Sequence, residues 1–198
     1  MKPTELDELT EALSDGKVVA VPTDTVYGLA ADPRLAGAVD RVFRLKQRPE
    51  SFPLPVLIAE ADTAAGLAVL TPQADRLVAR YWPGPLTLVL ARRPGTGFEL
   101  GGDPSSIGLR CPASPRLKEL LARTGPLAVT SANRHGEPPL RTAQEVREHF
   151  GAGVVTVLDG GRCAGEPSTV VSLRGAALQC LRQGALAFEE LSAVAAGR

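Results

Sequence analysis

Short apolar runs alternate along the whole chain with stretches of helical period, with no internal repeat and no low-complexity linker between them. A chain patterned this way buries both kinds of element by layering helices on a sheet, which makes the fold class α/β. Leu6, Leu9 and Leu13 share one helix face, with Thr4 and Asp7 in capping-box spacing and Gly16 after the last turn. Val18-Val19-Ala20-Val21 reads as a buried strand, stopped by Pro22 and the polar loop TDTVYG. Helical period returns from Leu35 to Lys46, and after the loop RPESFP the run LPVLIA at 54 to 59 is strand-like. Thr71 and Pro72 open the next helix, and strands are expected at LTLVLA (86 to 91) and SIGLR (106 to 110). Ser114 and Pro115 start a helix that Gly125 ends, and the strand LAVTS (127 to 131) follows. A helix capped by Thr142 and Glu145, the runs VVTVLD and STVVSL, and a closing helix complete the pattern.

Because the order is not strictly strand, helix, strand, the sheet is expected to be twisted and mixed, not purely parallel. With 198 residues, 44% of them hydrophobic, the chain is long enough for one sizeable core and short for two, so residues 1–198 read as a single domain. Lys plus Arg and Asp plus Glu balance at 22 each, so no global field draws the chain to nucleic acid or lipid, and an anion site must be a local cluster. Cys111, Cys163 and Cys180 fit neither a disulfide framework nor a CxxC pair, and with only His135 and His149 besides, no metal site made of protein side chains is expected. No apolar run approaches the roughly 20 residues of a membrane span. The start Met1-Lys2-Pro3-Thr4-Glu5 is unlike a signal peptide, so the expected location is the cytoplasm.

Four polar segments stand at the ends of apolar elements, where function usually sits. In PTDTVYGLAADP, Thr23 and Thr25 point the same way in an extended chain and Gly28 permits a close backbone approach, although a simple Thr/Asp turn explains the same residues. In LKQRPESFP, Lys46 and Arg48 are two apart at a helix end; extended, their heads converge on one side and suit a polyphosphate, while the plainer reading is a cationic helix terminus. In LAVTSANRHGEPP a strand delivers Ser131 and Asn133 onto one face, ready to orient a nucleotide or an amino acid, or merely to form a turn. The fourth set is SIGLRCP, EPSTVVSL and LRQG, in which Arg110 beside an apolar strand needs a protein carboxylate or a bound anion, and Ser168 and Arg182 are ordinary alone. No GxxxxGK[ST] loop, GxGxxG fingerprint or GxSxG elbow occurs, so an anion here must be met by scattered cations.

Taken together, PTDTVYGL, KQRP, WPGPLTLVL, GLRCP, VTSANRHGEP and STVVSL with LRQG resemble the YrdC-like threonylcarbamoyl-adenylate synthase family, in family order from about residue 17 to 187. The resemblance implies a YrdC-like fold with a concave, positively lined cavity. It also implies the reaction: ATP, bicarbonate and L-threonine give threonylcarbamoyl-AMP and pyrophosphate, for N6-threonylcarbamoyladenosine modification of tRNA. By the same resemblance Lys46 and Arg48 are catalytic, and Lys46, Arg48, Ser106, Asn133 and Arg182 bind ATP, with Mg²⁺ held mainly through phosphate oxygens. Thr25, Arg110, Ser131 and Ser168 are implied to bind L-threonine, Arg110 as carboxylate partner. The product would pass to a tRNA-modifying transferase complex, with at most weak RNA binding and no membrane partner.

Phe52 and Leu57 stand where longer relatives tend to carry an Asn and a His, and neither supplies a hydrogen bond; Arg134-His135 replaces a small residue and a Ser. The extra carboxy-terminal domain of those relatives has no expected counterpart before Arg198. The alternatives are a related carbamoyl-adenylate chemistry with another donor, and an RNA-binding or ribosome-assembly factor, which the zero net charge and scarce aromatics count against. Alanine at Lys46 or Arg48 is expected to abolish adenylate formation and leave the fold intact, as surface cations usually do.

Overall fold

The computed structural model describes residues 4–151, 156–175 and 177–198. Helix α1 (Glu5–Ser14) starts at Thr4, whose hydroxyl accepts the Asp7 N–H while the Asp7 carboxylate accepts the Thr4 N–H, so the expected capping box is complete. β1 (Val19–Pro22) and β2 (Tyr27–Ala31) form an antiparallel pair with Pro22 opposite Tyr27. The segment TDTVYG, expected to be one polar loop, is shorter as a loop: residues 23–26 turn, closed by the Thr23 hydroxyl accepting from the N–H groups of Thr25 and Val26, and Tyr27 and Gly28 already belong to β2. Pro22 does not break the pairing because it sits at the end of its strand, where a missing donor costs least.

Next come α2 (Ala38–Lys46), β3 (Val56–Leu57), a short α3 (Ala64–Leu67) without counterpart in the sequence reading, and α4 (Pro72–Tyr81), capped by Thr71 as expected. The strand-like run at 54 to 59 contracts to the two residues of β3. β4 (Leu86–Ala91), β5 (Ser106–Arg110) and β6 (Leu127–Ser131) keep the limits read from sequence, as does the helix between them, α5 (Pro115–Thr124). Ser114 precedes α5 but its hydroxyl donates to the Pro22 carbonyl at 3.1 Å instead of capping. α6 (Ala143–Phe150) repeats the capping box with Thr142 and Glu145. β7 (Thr156–Val157) belongs to the run VVTVLD, of which residues 154 and 155 lie outside those described. β8 (Thr169–Ser172), the unanticipated β9 (Gln179–Arg182) and α7 (Phe188–Ala195) end the chain.

The nine strands among the described residues join one sheet in the order β7-β1-β2-β6-β3-β5-β4-β8-β9. It is mixed, with β7/β1, β3/β5 and β4/β8 parallel and the other pairs antiparallel. Successive side chains along a strand face opposite sides. Leu86, Leu88, Leu90, Ile107, Leu109, Ala128 and Val171 therefore enter one core with Val42 of α2, Leu77 of α4 and Leu191 of α7. The intervening residues Thr87, Val89, Ser106, Gly108, Arg110, Val129 and Val170 face the other way and line a cavity. On that second face Leu9 and Leu13 of α1 and Leu117 and Leu120 of α5 cover β1, β2 and the edge of β6, packing on Val19, Val21, Ala30 and Val129. The part formed by β5, β4 and β8 is left as a floor.

The alternation makes a direct prediction. Leu88→Ala, in the core, should cost about 2–5 kcal/mol of unfolding free energy in urea, and Val89→Ala, on the cavity side, less than about 1.5 kcal/mol. Equal losses would contradict the assignment of faces.

Candidate functional site

The cavity above this floor has a volume of about 400 Å³, within the range of small-molecule sites. Its lining includes Arg48, Arg110 and Arg182 and, among the described residues, no carboxylate. Thr25, Ser106, Ser131 and Ser168 also line it, so seven of the nine residues singled out in the sequence converge there. Lys46 and Asn133, the other two, stand directly behind Ser131.

Lys46 ends α2 and is 1% exposed. Its ammonium donates to the Ser131 carbonyl at 2.5 Å, the Asn133 carbonyl at 2.7 Å and Asn133 Oδ1 at 3.1 Å. Burial, and next the like charge of Arg48, pull its pKa down to about 7. The three oxygens oppose that pull, since only an ammonium has three N–H groups to give them. The extended KxR picture is therefore corrected: Gln47 takes a left-handed conformation at φ 51° and separates a buried Lys46 from an Arg48 that faces the cavity. Lys46 cannot meet a phosphate while its three bonds last. Asn133 is similarly occupied, its Nδ2 donating to the carbonyls of Arg134 and Glu137. Together they lock the turn after β6, and the His135 N–H closes it onto the Lys46 carbonyl at 2.8 Å.

Arg110 has the protein carboxylate that its position demanded. Its Nη2 donates to Asp24 Oδ1 at 2.6 Å, Nη1 to the Thr25 hydroxyl at 3.1 Å and Nε to the Gly84 carbonyl at 3.0 Å. Asp24 was missed as a partner; the signal was there, an acid between two threonines in a loop beside a buried strand. The Thr23 and Thr25 hydroxyls do face each other, 2.8 Å apart, and Thr23 also bonds its own turn, so the functional and the plain readings of this loop hold together. Gly28 allows a close approach, but to the next strand: a Cβ there would lie 2.6 Å from Val129 Cγ1.

Arg48 and Arg182 have no carboxylate within ion-pair distance among the described residues. Arg182 donates to the Ser168 carbonyl at 2.8 Å and hydroxyl at 3.0 Å, and that hydroxyl lies 3.0 Å from Thr87 Oγ1. Arg48 donates to the Phe52 carbonyl at 3.0 Å. Burial disfavours the charge on each, and like charge adds to it, from Arg182 on Arg48 and from Arg110 on Arg182. The guanidiniums stay charged nonetheless, so the cavity carries uncompensated positive charge that a polyanion would relieve.

The stability expectation for Lys46 changes accordingly. Lys46→Met, which strands three buried oxygens, should lower stability by roughly 2–5 kcal/mol, and Arg48→Ala by about 1 kcal/mol or less, in chemical denaturation. A silent Lys46→Met would contradict the clamp.

A family model for the Sua5/YciO/YrdC proteins, described as "Telomere recombination", matches residues 11–184. A protein named putative threonylcarbamoyl-AMP synthase from Mycobacterium tuberculosis is 37% identical over 185 residues, 92% of this chain and 85% of that protein. The threonylcarbamoyl-AMP synthase of Pyrococcus abyssi is 38% identical over 187 residues, 92% of this chain but 54% of its own length. The crystal structure of P. abyssi Sua5 complexed with L-threonine superposes with a TM-score of 0.89 at 35% identity, over 98% of this chain and 58% of that one. In sequence and in fold alike, the chain belongs to the Sua5/YciO/YrdC family.

Proposed function

We propose that the chain is an L-threonylcarbamoyladenylate synthase that couples ATP, bicarbonate and L-threonine in the cavity over β5, β4 and β8. The observation that carries this reading is the pair Arg48 and Arg182, both in one acid-free cavity and both without a carboxylate partner. Such a pair suits a triphosphate and the pyrophosphate that leaves it. The relatives' name, threonylcarbamoyl-AMP synthase, and the L-threonine complex of P. abyssi Sua5 support L-threonine as the amino-acid substrate.

In this reading the α-amine of L-threonine condenses with bicarbonate, losing water, to give the N-carboxylated amino acid. An oxygen of that carbamate then attacks the α-phosphorus of ATP, and the bond to the bridging oxygen breaks as pyrophosphate departs with the electron pair. The step needs no covalent enzyme intermediate; the protein supplies position and charge. Arg48 and Arg182 hold the β- and γ-phosphates, and Ser106 contacts the nucleotide at the end of β5. Lys46 and Asn133 act from behind, by fixing the turn that presents Ser131. Thr25, Ser131 and Ser168 surround the amino acid. Arg110 has spent three of its five N–H groups on Gly84, Thr25 and Asp24, which leaves two for a carboxylate.

Among the described residues no group of three or more His, Cys, Asp or Glu side chains is arranged to hold a metal ion. A Mg²⁺ ion would arrive on the phosphate oxygens of ATP, which is where that ion prefers to bind, and would neutralise part of their charge. The product, a reactive mixed anhydride, would pass to a transferase acting on tRNA adenosine. Among the described residues no helix is long and apolar enough to cross a membrane.

The reading is tested by pyrophosphate release with ATP and bicarbonate against each amino acid in turn. Release should require L-threonine, and Arg48→Ala and Arg182→Ala should each lower kcat/KM roughly 100-fold with the fold retained. Release that is independent of L-threonine, or unchanged in both variants, would overturn it.

A further inference from the structure

Phe52 is 51% exposed, whereas Tyr27, Phe43, Trp82 and Phe98 are each at most 8% exposed and the remaining aromatics of the chain are partly buried. Its exposure is not the slack of a free loop. The Phe52 N–H donates to the Pro49 carbonyl at 3.1 Å, its carbonyl accepts from Arg48 Nε at 3.0 Å, and the Glu50 carbonyl accepts the Gly102 N–H at 2.8 Å. Leu54, two residues on, donates to the Leu100 carbonyl at 2.9 Å. Gly102 lies against this loop so closely that a Cβ there would meet Pro53 Cδ at 2.7 Å. The ring is thus held at the mouth of the cavity by a loop tied down on several sides. The His135 ring stands 5.6 Å from it and the Arg48 guanidinium 5.7 Å. Leu181, 57% exposed, is a second apolar lip of the same cavity.

A held aromatic ring that faces solvent at the cavity mouth, beside a guanidinium with no carboxylate partner, offers a flat apolar face to a planar ligand. We propose that Phe52 is a specificity-determining residue, the stacking platform for the adenine base of ATP, with Leu181 as the apolar lip at the same mouth. The inference rests on the adenylation reading and extends it from the phosphates to the base. Bases stack on aromatic side chains without needing hydrogen-bond partners, which suits a position where the side chain has none to offer. L-threonine, small and without a planar face, has no comparable use for the ring. The loop's one guanidinium then serves two ends of the ligand, its charge directed to phosphate and its backbone bonds holding the platform.

The test is calorimetric binding of Mg²⁺-ATP and of Mg²⁺-tripolyphosphate to the parent chain and to Phe52→Ala, Phe52→Leu and Phe52→Tyr. Phe52→Ala should raise the Kd for ATP roughly tenfold, Phe52→Leu nearly as much, and Phe52→Tyr little, while tripolyphosphate binds all four proteins alike. Because the side chain is exposed, thermal unfolding should be unchanged, which keeps a binding loss separate from a folding loss. Unaltered ATP affinity in Phe52→Ala would overturn the platform, as would equal losses for ATP and tripolyphosphate, which would mean that the ring acts only by placing Arg48. Failure of the parent chain to bind ATP at all would instead overturn the adenylation reading, and this inference with it.

Discussion

A pleated strand has to put every second side chain on each face, and in this protein the two faces of the same strands meet different surroundings. Leu86, Leu88 and Leu90 lock β4 into a core with the helices, and in doing so they commit Thr87 and Val89 to the opposite side. The same holds for Ile107 and Leu109 against Ser106, Gly108 and Arg110 on β5. Because α1 and α5 cover only the β1, β2 and β6 end of that side, the rest remains as a concave surface. The site is therefore a by-product of partial coverage, held rigid by the core beneath it. Its floor is as fixed as the hydrophobic packing that excludes the alternative register.

Charge is distributed over this surface unevenly. Arg110 is buried and neutralised by Asp24, and it is oriented by three hydrogen bonds before any ligand arrives. Lys46 is buried and satisfied by carbonyl oxygens alone. Arg48 and Arg182 are tethered through carbonyl and hydroxyl groups, which orient a guanidinium without cancelling its charge. Lys46 builds the wall, Arg110 is fixed in place with two N–H groups to spare, and Arg48 and Arg182 are left to attract. An anionic ligand pairing with them replaces their mutual repulsion by attraction.

Much of this was legible in the sequence. The capping boxes at Thr4 and Thr142 and the Pro-led starts at Pro72 and Pro115 gave helix origins correctly, because those signals are local chemistry. β4, β5 and β6 were legible because each is an apolar run bounded by turn residues. β2 was hidden by its polar approach, and β9, exposed along its length, is too short and mixed to show an apolar run. The convergence of distant loops on one cavity came from a family resemblance, since spacing alone carries no information about residues 85 or more positions apart. Two features needed coordinates. The burial of Lys46 depends on carbonyls presented by a turn far along the chain, and the Arg110–Asp24 pair depends on how β1 and β2 place their connecting loop beside β5. The strict alternation in SIGLR was a missed clue, as it marks a strand with one wet face.

The central claim is that one open half of a sheet face holds a nucleotide triphosphate beside an amino acid. Its most direct test is a crystal structure of the chain with a non-hydrolysable ATP analogue and L-threonine. The account predicts phosphate oxygens within hydrogen-bonding distance of both Arg48 and Arg182, with the amino-acid carboxylate on Arg110. A nucleotide bound on another face, or bound in the cavity with its phosphates turned away from both arginines, would contradict it.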